Sequence, residues 1–259
     1  MLTIYDTSGH KLTERTGIGE VRDATVWIDL IDPTPEEDDW VEKQLGISIP
    51  TRAEMREIEM SSRLYQENGV LYMTALVVYN ADAPSPSTST LTFILAGRRV
   101  VTVRYVALKA FPLYLSRLEK GDATCSNGAH VMAGLTEAIV HRAADLVERI
   151  QDEVEKLAPA VFAIKGGQQT RTRRLDVSLR TIGKEGDMTS RAQEAAFSID
   201  RVLQFFVHAA RERKEEPALV HRIEVTHRDA LSILEHLRFL ANRIQFLLDA
   251  TLGMINIEQ

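Results

Sequence analysis

Asp249 and Asn256 stand seven residues apart in a segment that is otherwise apolar from Phe246 to Ile257, Thr251 excepted. On an α-helix that spacing puts both on one face, with Leu252 and Ile255 beside them. A carboxylate and an amide along one stripe of an apolar helix need water or polar partners. Two arrangements supply them. One is a solvent-facing stripe on a bundle helix. The other is a symmetric pore in which each residue recurs as a ring around the path of an ion.

Chemistry of the catalytic kind is hard to assemble. The sequence has no Gly-x-Ser-x-Gly elbow, no Walker loop, no Gly-x-Gly-x-x-Gly turn and no His-Glu-x-x-His helix. Cys125 lies in a polar linker with no histidine within four residues of it in sequence. His221, His227 and His236 are spaced six and nine apart, which is not the i, i+4 spacing of a helical zinc site. Asp29 and Asp32 flank the end of a strand, where turn and helix-entry roles account for them. These residues identify no acid–base pair, so the expectation is a protein that is not an enzyme.

The totals set further bounds. A chain of 259 residues, 44% hydrophobic and 26% charged, can bury an ordinary core. Its net charge of −6 argues against a general nucleic-acid binder. The single cysteine excludes an internal disulfide framework and fits a reducing compartment. The N-terminus lacks a basic and then apolar leader. No run approaches about 18 consecutive apolar residues, the length that spans a bilayer.

The elements that would position Asp249 and Asn256 divide the chain in two. The chain reads as α+β, with residues 1–125 an α/β/α head on a mixed sheet. Thr25–Leu30 is a β-branched and aromatic strand. Thr34, Pro35 and Glu37 form a capping box with a proline start, and Thr51 with Glu54 repeats that box before a helix expected to reach Glu59. Asn68-Gly69 and Gly97-Arg98 mark two hairpins, and Ala81–Ser89 reads as an exposed loop. Residues 126–259 read as three long antiparallel helices: 131–158, which Pro159 ends or kinks, then 168–213 after Gly166-Gly167, then 217–259. The first is acidic on its outer face (Glu137, Asp145, Glu148, Asp152, Glu153, Glu155) and the second begins basic (Arg171, Arg173, Arg174, Arg180, Lys184). Those are either solvated faces or an electrostatic pair that answers to bound cations. The last helix grows more apolar toward an abrupt end and has no capping glycine, so the expectation is that it is cut there.

The order of these motifs resembles the CorA-type magnesium/cobalt transporter family. Val26-Trp27-Ile28-Asp29-Leu30 with Pro33 and Glu36-Glu37 is similar to its first strand and helix. Thr51-Arg52, Glu57 and Ser62-Arg63 resemble the next helix and strand, and Ser89–Leu95 with Val101–Arg104 resembles the central hairpin. Leu248–Gln259 resembles the lead-in to the first membrane helix. The resemblance implies the cytoplasmic funnel domain of a homopentameric Mg²⁺/Co²⁺ channel, truncated before its membrane spans, at the cytoplasmic face of the inner membrane. Mg²⁺ or Co²⁺ would be both regulatory ion and cargo, with no prosthetic group. It implies an inter-subunit regulatory site that takes Glu57 from one chain and Asp229 from the next, with Asp249 and Asn256 lining the pore mouth. The family's Gly-Met-Asn signature is absent, since Gly253-Met254-Ile255-Asn256 carries an extra residue. The zinc-transporting branch of the same superfamily and a soluble coiled-coil interaction protein are the alternatives.

Overall fold

The computed structural model describes residues 1–8, 11–57, 59–81, 86–162 and 168–258. Seven strands form one sheet: β1 (Leu2–Ser8), β2 (Lys11–Thr16), β3 (Thr25–Ile31), β4 (Leu64–Glu67), β5 (Val70–Tyr79), β6 (Ser87–Ala96) and β7 (Arg99–Arg104). Their order is β2-β1-β3-β7-β6-β5-β4, and every pairing is antiparallel except β3 with β7. The sheet is therefore mixed, as the sequence predicts. Alternate residues of each central strand feed two cores. Tyr5, Trp27, Met73, Phe93 and Val100 enter one face; Ile4, Ile28, Tyr72, Ile94 and Val101 enter the other. Burial on both faces explains why β5 and β6 read as nearly continuous apolar runs.

The second face is covered by α1 (Pro35–Leu45). Its capping box is complete: Glu37 N–H donates to Thr34 Oγ1 at 3.3 Å and Thr34 N–H to Glu37 Oε2 at 2.9 Å. Gly46, in the left-handed region at φ 64°, closes the helix. In the β4–β5 hairpin both Asn68 (φ 50°) and Gly69 (φ 80°) are left-handed, the requirement of a type I′ turn.

Four expectations need correction. The box at Thr51 and Glu54 forms, but it opens only a 3₁₀ turn, Glu54–Arg56, and Glu57 leaves it at ψ 141°. Of that turn only Met55 is buried, too little packing to propagate a helix. A separate turn of helix, α2 (Met60–Arg63), follows. The strand β6 starts at Ser87, inside the expected loop, because Val77–Tyr79 of β5 supply it with partners; residues 82–85 lie outside the described residues. Pro159 stands inside α4 (Gly128–Phe162), where Leu157 and Val161 remain buried and packing carries the last turn; Gly166-Gly167 lies outside the described residues. Finally, Asp29 is not a turn residue. It is 3% exposed and holds Arg104 through both oxygens, at 3.1 and 2.7 Å, while Thr102 Oγ1 donates to it at 2.6 Å.

The first face of the sheet receives α3 (Ala110–Glu119) and the head ends of three long helices: α4, α5 (Gln168–Glu212) and α6 (Pro217–Glu258). Their far ends continue past the sheet around a second core of Ile150, Val154, Ile182, Leu237, Leu240 and Ile244. Arg222 of α6 binds Glu137 of α4 at 2.6 Å, and His236 meets Gln151 at 2.8 Å, so α4 and α6 run in parallel. The α5 helix returns in the opposite direction against both: Asp200 meets His227 of α6 at 2.9 Å. Among the described residues no helix is long and apolar enough to cross a membrane.

The α4 helix lies so near the sheet that a Cβ at Gly128 would stand 2.4 Å from the Arg99 and Val100 backbone, and one at Gly134 would stand 2.1 Å from Tyr114 Cε2. Gly134→Ala is expected to lower the unfolding free energy by about 1–3 kcal/mol, since Tyr114 is fully buried and has no room to retreat. Chemical denaturation monitored by tryptophan fluorescence measures this, because Trp27 packs 6.3 Å from the Tyr114 ring.

Candidate functional site

The α6 helix runs for 42 residues, about 60 Å at 1.5 Å per residue. Its inner stripe, Ile223, Ala230, Leu237, Ile244 and Thr251, is buried at a seven-residue repeat. The hydroxyl of Thr251 donates to the Leu247 carbonyl at 2.6 Å, so this polar residue of the apolar run is satisfied within the helix.

Asp249 and Asn256 are both exposed, on the opposite side of α6. They are the end of a longer column. Counting back by sevens from Asp249 gives Asn242, Glu235, Arg228 and His221, every one of them polar and exposed. Sequence reasoning missed these four, although the count was available in the sequence. Asp249 accepts a hydrogen bond from Gln245 Nε2 at 3.0 Å. Among the described residues no hydrogen bond or ion pair is formed by the side chains of Glu235, Asn242 or Asn256.

The column has apolar shoulders. At 100° per residue, the series 225, 239, 246 lies about 60° to one side and the series 231, 252 about 60° to the other. Phe239 is 58% exposed and Phe246 60%, with Val225, Leu231 and Leu252 exposed as well. Five large apolar side chains in water along one helix mark a contact surface more than a solvated face. One face of α6 is therefore polar in the middle, with Val225, Phe239 and Phe246 along one edge and Leu231 and Leu252 on the other, where Arg238 and Gln245 interrupt them.

The other two expected site residues are also exposed. Glu57 sits at the exit of the 3₁₀ turn, its backbone carbonyl receiving Arg63 Nε. Asp229 follows Arg228 on α6. Neither carboxylate has a partner among the described residues, and the fold does not join the two within one chain. Arg228 and Ser61 line one open groove between the α2–β4 segment and the α5–α6 pair, and neither Glu57 nor Asp229 is among its lining residues. The groove is lined by basic groups (Arg201, Arg211, His208, His221, His227), with Glu224 bound to Arg211. Among the described residues no three histidine, cysteine or acidic side chains converge as a metal centre.

The remaining titratable candidates are structural. Cys125 is fully buried, burial pushes its thiol up, and it lies 3.6 Å from Thr7 Oγ1. Burial raises the Tyr5 phenol to about 12, beneath the stacked Trp27 ring at 4.2 Å. His130, which the sequence did not single out, ties α4 to the start of α6 through Glu216 at 2.9 Å.

The model of one protein family, described as "CorA-like Mg2+ transporter protein", matches residues 22–259. The chain is 29% identical over 236 residues to a magnesium transport protein CorA of Pectobacterium atrosepticum, covering 91% of this chain and 72% of that protein. It is 28% identical over 261 residues to the magnesium transport protein CorA of Escherichia coli K12, covering 100% of this chain and 80% of that one. Among solved structures, the complete CorA magnesium transporter of Methanocaldococcus jannaschii superposes with a TM-score of 0.76 at 17% identity, over 100% of this chain and 78% of that chain. The ZntB cytoplasmic domain of Vibrio parahaemolyticus gives a TM-score of 0.62 at 14% identity, over 98% and 97%. At these identities the two structures share a fold.

Because Glu57, Asp229, Asp249 and Asn256 are exposed, single alanine substitutions there are expected to change the unfolding free energy by less than about 0.5 kcal/mol. Thermal denaturation of each variant checks this, and it separates an effect on ion response from an effect on folding.

Proposed function

Taking as premise that this chain belongs to the CorA-like Mg²⁺ transporter family, whose model spans residues 22–259, we propose that it is the cytoplasmic regulatory part of a homopentameric Mg²⁺/Co²⁺ channel. The observation that carries the reading is the face of α6: an unbroken polar column flanked by exposed Phe239 and Phe246 on one side and by Leu231 and Leu252 on the other. In a ring of identical copies, the shoulders around Phe239, Phe246, Leu231 and Leu252 pack against neighbouring copies. The column then turns to the axis, and Glu235, Asn242, Asp249 and Asn256 recur as rings. Mg²⁺ dehydrates reluctantly and keeps several of its waters, so amide and carboxylate oxygens at these rings hydrogen-bond the hydrated ion. The rings supply negative potential without a tight cage, which lets a cation enter and leave.

Residues 1–125 act as the sensing head and residues 126–259 as the stalk that conveys its state. Glu57 of one copy and Asp229 of the next hold Mg²⁺ through shared waters in the closed, symmetric state. Loss of the ion leaves carboxylates facing each other, and their repulsion favours the relaxed state. That is a population shift by a ligand that prefers one of two states. The place of the domain is the cytoplasmic face of the membrane, and the reading assigns no catalytic residue.

The test uses the full-length protein in membranes, with limited proteolysis across millimolar Mg²⁺. Wild type is expected to gain protection as Mg²⁺ rises, and Glu57→Ala with Asp229→Ala to lose that gain. Protection that persists unchanged in the double variant would remove both residues from the mechanism. Zn²⁺ protecting at far lower concentration than Mg²⁺ would move the reading to zinc transport. A Phe239→Ser, Phe246→Ser variant is expected to fold normally while self-association falls, which sedimentation velocity reads directly.

A further inference from the structure

Glu185 is a charged residue in the wrong place for its type. It lies on α5 and is 2% exposed. The elements around it supply the second core: Ile150 and Val154 from α4, Ile182 and Met188 from α5, Leu240 and Ile244 from α6. Its Oε2 is buried without a hydrogen-bond partner. Among the described residues its Oε1 has only Lys184 Nζ at 3.9 Å, and that lysine side chain is 52% exposed. A buried carboxylate so weakly compensated costs several kcal/mol, whereas the neutral acid costs much less.

We propose that Glu185 is a proton-linked latch in the stalk: neutral, it lets α5 stay packed between α4 and α6; ionised, it favours local separation of α5. The charged groups around it do not cancel the burial. Arg149 and Glu153 reach it from α4 with opposite signs, and Lys184 from its own helix. On α6, Arg243 is held by Glu155 at 4.0 Å and His236 by Gln151 at 2.8 Å, while Leu240 and Ile244 face this core. Burial dominates and raises the carboxyl above its ordinary 4.5.

The surrounding helix is built to yield. Gly183 and Gly186 flank Glu185, and each glycine weakens a helix by about 1 kcal/mol relative to alanine. A Cβ at Gly186 would lie 3.6 Å from Ile244 Cγ2, so α5 meets α6 beside the latch. Ile244 stands between Asn242 and Asp249 of the column. The consequence for an ion path rests on the transport reading; the latch does not.

The sign follows from linkage. A carboxyl whose closed-state value is raised contributes stability that is fully present below its open-state value near 4.5 and is lost as pH rises through the closed-state value. Opening therefore increases with pH, by at most about tenfold per unit, and then levels.

Hydrogen–deuterium exchange of the intact chain from about pH 5 to 8, expressed as protection factors, tests the latch. In wild type, protection of residues 178–192 is expected to fall with rising pH by up to about tenfold per unit. In Glu185→Gln and Glu185→Met it is expected to stay at the wild-type low-pH level throughout. A flat wild-type profile overturns the proposal, and so does an equal slope in a folded variant. A Glu57→Ala, Asp229→Ala chain keeps the wild-type slope if the latch holds, so failure of ion sensing and failure of the latch are told apart.

Discussion

The nearness of α4 to the sheet is the constraint on which the other helices depend. Gly128 and Gly134 admit the β7 backbone and the Tyr114 ring where any side chain would collide. The aromatic cluster of Trp27, Phe111 and Tyr114 closes over the contact, with ring centres 5.6 and 6.3 Å from the Trp27 ring. Once α4 is seated, Glu137 gathers Arg117 of α3 at 2.9 Å and Arg222 of α6 at 2.6 Å. His130 adds Glu216, the residue that immediately precedes the same helix. The direction in which α6 leaves the head is thus set at its base. A 60 Å lever magnifies any error there, which is a physical reason for locking the base with both packing and paired charges.

The charges in the head and in the stalk serve opposite ends. Asp29 and Arg104 are buried, bidentate and further satisfied by Thr102 and the Val106 carbonyl at 2.9 Å. A pair so complete costs much to break and gives little net stability over an apolar substitute, so its value is in fixing β3 beside β7 in register. Surface pairs such as Arg191 with Asp187 contribute about 0–1 kcal/mol each. Glu185 belongs to neither class. It is buried like Asp29 and lacks what Asp29 has, a cation and a hydroxyl within hydrogen-bond reach.

Features with local causes were legible in the sequence. The boxes at Thr34 and Thr51, the Asn68-Gly69 turn and the three long periodic segments depend on neighbours within four residues, and they form where expected. Features with distant causes were not. The strand β2, Lys11–Thr16, is polar and mostly exposed, so it carries no hydrophobic pattern; it exists because β1 offers an unpaired edge. Asp29 looked like a turn residue because its partner, Arg104, is 75 residues away. Glutamate on a long helix nearly always faces water, so nothing in the sequence marked Glu185 as buried. Of the site, Asp249 and Asn256 stood out against apolar neighbours, while Glu235 and Asn242 were hidden among other polar residues of the same helix.

The face of α6 sets two forces against each other, and their balance says why a cation suits it. Burying one phenylalanine contributes about 1.5–3 kcal/mol, so the shoulders at Phe239 and Phe246 reward contact between copies. In the proposed ring the same contact would bring the Glu235 and Asp249 carboxylates of each copy toward one axis. Like charges about 4 Å apart in a medium of effective dielectric near 20 repel by about 4 kcal/mol per pair, and each ring holds several pairs. In that proposed ring, apolar association alone would leave the carboxylate repulsion along the centre uncompensated. A divalent cation in the proposed column would remove that repulsion without touching the shoulders, and its departure would restore it. The seven-residue repeat that keeps polar and apolar series on separate edges is what allows one helix to carry both forces.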